Sequence, residues 1–159
     1  MNETKIAPEN PEQPDIIKLL AASDRYHAAL YPQESNHLVD VADLIGSNVR
    51  FLVARTAEGT VVGCGGVLLS DENGVLIAEL KRMWIDPGAR SHGLGRRLLA
   101  ALEAVALGEG ATLLRLETGI RQPQALGLYR AAGYTERGPF DNYVADPLSV
   151  FMEKPAMIS

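Results

Sequence analysis

The sequence has a single cysteine, Cys64, among 159 residues. That count excludes an internal disulfide and any zinc site built from cysteines alone. Long apolar runs are also missing. The longest, residues 61–69, contains three glycines and falls far short of the roughly 20 residues that a membrane-spanning helix needs. Positive charge is scarce as well, with 15 basic against 20 acidic residues and a formal net charge of −5. No lysine-rich block or basic amphipathic helix occurs, so neither nucleic acid nor a membrane surface is an expected partner. Residues 1–14 are polar and proline-rich without an apolar signal core, which makes the cytoplasm the expected location. There is no repeat and no low-complexity linker. The length suits one domain over 1–159, its first 14 residues a polar segment that is partly strand.

What is present centres on residues 79–99, ELKRMWIDPGARSHGLGRRLL. Leu80, Met83 and Ile85 with β-favouring Trp84 read as a strand that stops at Asp86-Pro87-Gly88. Arg90, Gly93 and Gly95 then form an R-x-x-G-x-G pattern before a helix over residues 96–107. Glycines at a strand-to-helix junction let the backbone approach a ligand closely, and a helix start offers unpaired N–H groups and a positive dipole end. Together they make an anion site, most naturally for a pyrophosphate. The plain alternative is a tight turn with a glycine-softened helix start.

In chain order, residues 4–7 suit a short strand. A helix starts at Asp15 behind Pro14 and ends by Tyr31, because Pro32 disfavours helical geometry before it. Residues 38–44 suggest a second short helix closed by Gly46. The period then becomes alternating: strands at 49–56, 60–70 and 75–86 with Gly-containing turns make an antiparallel meander. After the glycine junction and its helix come a strand at 112–117, a helix from Pro123 to about Ala132, a short strand from Tyr134 and a last strand at 148–153. The predicted order is β-α-α-β-β-β-α-β-α-β-β, a mixed α/β sheet.

That order, with R-x-x-G-x-G after the fourth strand, resembles the GNAT superfamily of acyl-CoA-dependent N-acetyltransferases. A second match is Gln122-Pro123-Gln124-Ala125-Leu126-Gly127-Leu128-Tyr129 followed by Ala131-Ala132-Gly133-Tyr134, which is similar to the family's N-x-x-A-x-x-L-Y-x-x-x-G-F/Y helix. Gln122 departs from the usual asparagine, whose bond goes to cofactor or backbone. The texture at 32–37, 116–119 and 146–150 looks like a bacterial, small-molecule branch. The resemblance implies an α+β fold, a mostly antiparallel sheet with splayed central strands, acetyl-CoA as cofactor, a small-molecule or peptide amine as acceptor, direct attack in a ternary complex, and no metal. Related folds that pair through late strands allow a homodimer.

Roles carried over by motif position are as follows. The Met83 N–H is the candidate oxyanion donor, while Trp84 and Ile85 run beside the pantetheine arm. Arg90 and the amides of Ser91, His92, Gly93, Leu94, Gly95 and Arg96 hold the pyrophosphate, with Arg96 or Arg97 near the outer phosphate. His92 could instead be a surface spectator, and Arg97 a solvated cation. Tyr129 is the general acid, since a phenol can protonate a departing thiolate; packing on the sheet is its plainer role. Glu79 is the candidate base, with an ion pair to Lys81 or Arg82 as the alternative. Tyr26, Tyr31, Glu34, Asn36, His37, Phe140 and Tyr143 are expected on the acceptor side. Cys64 reads as a small core residue, since no activating neighbour is visible. Two other functions compete. A nicotinamide oxidoreductase would use Gly93, Gly95 and Glu117, but Leu98 fills its third glycine position. A non-catalytic acyl-CoA sensor of the same fold would not need Tyr129 and Glu79.

Overall fold

A computed structural model describes residues 4–32, 40–90, 92–141 and 143–156. The chain runs through strand β1 (Lys5–Pro8), helix α1 (Pro14–Leu30), a 3-10 turn (Val41–Ile45) and strands β2 (Val49–Arg55), β3 (Val61–Glu72) and β4 (Val75–Ile85). A 3-10 turn (Pro87–Ala89) leads to helix α2 (Leu94–Gly108), strand β5 (Leu113–Gly119), helix α3 (Pro123–Ala131) and strands β6 (Thr135–Arg137) and β7 (Ser149–Pro155). The expected second helix is the 3-10 turn in its described part; residues 38 and 39 lie outside the described residues. Asp40 makes no side-chain cap bond there, and five residues close too few hydrogen bonds to sustain an α-helix.

All seven strands belong to one sheet, ordered β1-β2-β3-β4-β5-β7-β6. The β1–β4 meander and the β5-β7-β6 group are antiparallel, and they meet only where β4 runs parallel to β5. That junction is short: Ile77 pairs with Leu113, Ala78 with Leu114, Glu79 with Arg115. Beyond Glu79 the two strands part. The mixed α/β sheet with splayed central strands is therefore the architecture found.

Both faces of the sheet are covered. Leu52, Val67, Ala78 and Leu80 point to a core shared with Leu98, Leu99 and Leu102 of α2 and Leu126 and Tyr129 of α3. Phe51, Val53, Cys64 and Trp84 point the other way, onto Ile16, Leu19 and Leu20 of α1. Strict alternation would put Trp84 on the same face as Ala78 and Leu80. A β-bulge prevents this. Gly66 pairs with Lys81 and Cys64 with Trp84, so Arg82 and Met83 stand opposite Gly65 alone. The extra residue reverses the parity of the strand. Met83 and Ile85 thereby pack toward α2 and α3, while Trp84 packs under α1. Arg82 carries the kink, with φ +56.

Candidate active site

The parting of β4 from β5 opens two adjoining cavities that share Met83, Gln122, Ala125 and Tyr129 in their walls. The first is a groove lined by Met83, Trp84 and Ile85 on β4, Gly93, Leu94 and Gly95 at the start of α2, and Leu128 on α3. Gly93 is the N-cap of α2, at φ +77, a conformation that glycine adopts without the strain a Cβ would bring. The first intrahelical bond runs from Arg97 N–H to the Gly93 carbonyl. The Leu94, Gly95 and Arg96 amides precede it and have no helical acceptor.

Arg90 lies inside this groove. Its Nε donates to the Ile85 carbonyl at 3.0 Å, and its guanidinium stacks 4.7 Å from the Trp84 ring centroid and 5.9 Å from that of Tyr26. The Trp84 indole N–H is buried without a partner among the described residues. His92 and Arg96 are exposed and do not line the groove. Arg97 is exposed too and lines no part of the groove; it donates to the Thr4 carbonyl at 2.8 Å and ties β1's approach to α2. Ser91 lies outside the described residues.

The second cavity is lined by Ser23, His27 and Tyr31 from α1 and its end, Glu79 to Met83 from β4, Leu116 to Gly119 from β5, and Tyr143. Glu79 is buried in its wall, and the ion-pair alternative is the geometry found. Lys81 Nζ sits 2.9 Å from Glu79 Oε2. The Tyr143 hydroxyl donates to the same oxygen at 2.8 Å and accepts from Lys81 at 2.6 Å. Burial and that carboxylate push the Tyr143 phenol far up. Arg82 lines this cavity without pairing with Glu79. Its side chain is turned into the protein, 4% exposed, donating to Asp24 at 2.7 Å and to the Leu20 carbonyl at 3.2 Å.

Tyr129 is buried where the two cavities meet. Its phenol is pushed up to about 12, first by burial and then by Glu117, so it holds its proton throughout the neutral range. Gln122, at the N-cap of α3, makes the backbone kind of contact. Its Oε1 accepts from Gly119 N–H at 3.3 Å and from the Tyr31 hydroxyl at 3.2 Å. Its Nε2 reaches His27 Nε2 at 3.3 Å. A Cβ at residue 119 would overlap the Tyr31 hydroxyl, so Gly119 is what lets this cluster close.

Of the residues expected on the acceptor side, Tyr31 and Tyr143 line the second cavity, whereas Tyr26 lines the groove. Phe140 lines neither. It packs edge-on against Tyr143 and Phe151, with Arg115 and Arg137 over its ring, and so supports the wall from behind. Glu34, Asn36 and His37 lie outside the described residues. Cys64 is fully buried, its thiol pushed up to about 12 by burial, which suits a core residue and not a nucleophile. His27 is the site residue that sequence reasoning misses. Its partner Gln122 is 95 residues away, and helical periodicity carries no trace of that contact.

A model of the acetyltransferase (GNAT) family matches residues 15–134. An IAA acetyltransferase from Azospirillum brasilense is 48% identical over 155 residues, covering 98% of this chain and 99% of the relative. A Klebsiella pneumoniae chain assigned to the acyl-CoA N-acyltransferases superposes with a TM-score of 0.84 at 42% identity, over 97% of this chain and 98% of that one. A GNAT acetyltransferase structure from Elizabethkingia anophelis, with acetyl-CoA bound, shares the fold at a TM-score of 0.68 and 18% identity, over 98% of this chain and 99% of that one. The splayed β4–β5 pair, the glycine-led start of α2 and the family match agree: this chain belongs to the GNAT acetyltransferase family.

Proposed function

We propose that the protein transfers acetyl from acetyl-CoA to a primary amine of a small molecule, in a ternary complex. The observation that carries this reading is the pair of cavities joined at Tyr129, one for each substrate, with an acid between them. The groove residues fit acetyl-CoA. The open amides at the start of α2, the left-handed Gly93 and the nearby Arg90 guanidinium suit a diphosphate, and the slot beside β4 suits an extended amide-bearing arm. Bound there, acetyl-CoA supplies an activated acyl thioester.

The chain's own residues do the rest. The bulge presents the Met83 peptide off the β3 register, where its N–H can serve an oxyanion; one such donor contributes about 10²- to 10³-fold. The Tyr129 hydroxyl protonates the leaving sulfur. Glu79, Lys81 and Tyr143 form a polar wall that orients the acceptor. With two donors already on one oxygen of Glu79, we assign it holding and not proton removal. No metal is needed for this chemistry, and the Cys64 thiol is not part of it. The relative's name makes IAA a compound to include in the acceptor screen.

The test is a panel of amines, amino acids and IAA, incubated with acetyl-CoA, with free thiol and acetylated product measured together. Product formed in step with thiol supports the transferase. Tight acetyl-CoA binding without thiol release across the whole panel would favour a sensor.

A further inference from the structure

We propose that His27 is the catalytic base, taking the proton that the acceptor amine sheds; this rests on the amine-acetylation reading above. Hydrogen-bond roles around the ring fix which nitrogen is basic. Gly119 N–H is an obligate donor, so the group of Gln122 that it meets at 3.3 Å is the oxygen. The Tyr31 hydroxyl donates to the same oxygen. The Gln122 group facing His27 is therefore the NH₂, a donor, and His27 Nε2 meets it with a lone pair. At the other edge of the ring, Nδ1 lies 2.7 Å from the Ser23 carbonyl, an obligate acceptor, so Nδ1 carries the hydrogen. Two backbone groups, one at each end of the chain of bonds, thus set the tautomer. The basic nitrogen points to Gln122, which lines both cavities.

The contact at 3.3 Å is at the loose end of the range, so an incoming amine can replace it while Gln122 stays anchored through its oxygen. The ring is kept neutral by its surroundings. Burial lowers the His27 pKa below its ordinary 6.5, and Arg82 on β4 lowers it further, against the Ser23 carbonyl and Asp24 on α1, which raise it. Around it stand Tyr26 and Trp84 at ring distances of 5.5 and 5.9 Å and Tyr31 stacked at 6.4 Å. Among the described residues, two carboxylates also line this cavity: Glu79, which has an ammonium and a phenol on one oxygen, and Glu117 on β5; the imidazole is the neutral nitrogen base beside them. As the acceptor nitrogen bonds to the acyl carbon, His27 Nε2 takes that nitrogen's proton. The carbon–sulfur bond breaks, Tyr129 gives its proton to the sulfur, and exchange with solvent restores both side chains.

The experiment compares kcat from about pH 5 to about pH 9 in wild type, H27Q, Q122E and E79Q, with the best amine of the panel. Wild type should lose activity below a midpoint under the ordinary histidine value. H27Q should lower kcat about 10²-fold and abolish that limb, with acetyl-CoA affinity held. In Q122E a carboxylate accepts from the protonated ring, so the limb should move to higher pH, an effect that a merely structural histidine would not give. E79Q should keep the wild-type midpoint. An H27Q profile that retains kcat within about twofold and keeps its limb overturns the assignment. A Q122E limb that does not move also overturns it, and does so even if H27Q fails to fold. Wild-type protein that acetylates nothing in the panel removes the transferase reading, and this one with it; activity with a normal H27Q profile removes this one alone.

Discussion

At the scale of single residues, Tyr129 separates chemistry from stability. Its hydroxyl makes no hydrogen bond to the described residues, while its ring is packed against Tyr134 with centroids 5.8 Å apart. Tyr129→Phe keeps the ring and removes only the hydroxyl proposed as the acid. Turnover should fall at least about tenfold, with acetyl-CoA affinity and melting temperature nearly unchanged; steady-state kinetics, a binding titration and a thermal melt check this. His27 predicts a pH effect on folding. Its folded pKa lies below 6.5, so the unfolded chain binds the proton more readily. The stabilising contribution is complete above the unfolded value. It falls as pH drops from about 6.5 toward the folded value, and is constant below that. Glu9 and Asp15, held low mainly by hydrogen bonds from Arg55, act only in a more acidic window. Urea midpoints at several pH values should show a drop on the acid side of neutrality that H27Q lacks. Tyr129, Gln122 and Glu79 are legible in the sequence because they occupy recognisable motif positions. His27 is not: its role depends on Gly119 and Ser23 backbone groups that only the fold brings into line.

At the scale of elements, the bulge in β4 decides which side chains face the groove. A trace of it is visible in the sequence. Leu80, Met83 and Ile85 step by three and then two, and a regular strand permits only twos. Nothing in an arginine announces the left-handed backbone at residue 82, however, and its burial under α1 follows from an ion pair with Asp24 58 residues away. Opposite the bulge, Gly65 allows β3 to approach. A Cβ there would lie 2.9 Å from Leu102 Cδ1 and 3.4 Å from Met83 Cα. Gly65→Val should therefore destabilise the protein by about 1–3 kcal/mol through overpacking and also weaken acetyl-CoA binding, because Met83 must shift. Denaturant titration and a binding isotherm on the same variant test the coupling; unchanged affinity alongside lost stability would detach the bulge from the groove. The second helix is the element that sequence patterning overstates. Two apolar residues per turn also fit a 3-10 turn, and periodicity cannot separate the two over so few residues.

Across the whole molecule, the alternation of strands and helices makes the order of elements along the chain readable, but neither the insertion of β7 between β5 and β6 nor the length of the β4–β5 junction. Three residue pairs hold the two halves of the sheet together. A ligand that bonds along β4 beyond Glu79 should bridge both halves. At a concentration about 100-fold above its dissociation constant, such a ligand stabilises the fold by about 2.7 kcal/mol. Acetyl-CoA or CoA should therefore raise the melting temperature, and slow hydrogen exchange should concentrate at residues 80–85 and the start of α2. Protection elsewhere, with those segments unaffected, would place the cofactor at another site.

The separation of the two strands is set by where their ladder stops, not by any connecting loop. The cavity proposed for the acceptor is walled by both strands and completed by other parts of the chain: the end of α1, and the segment carrying Tyr143 between β6 and β7. On the reading proposed above, the groove and these completing walls are thus partly separable inheritances. A protein built this way can reshape its second cavity by redrawing two peripheral segments, while the groove beside β4 is left alone.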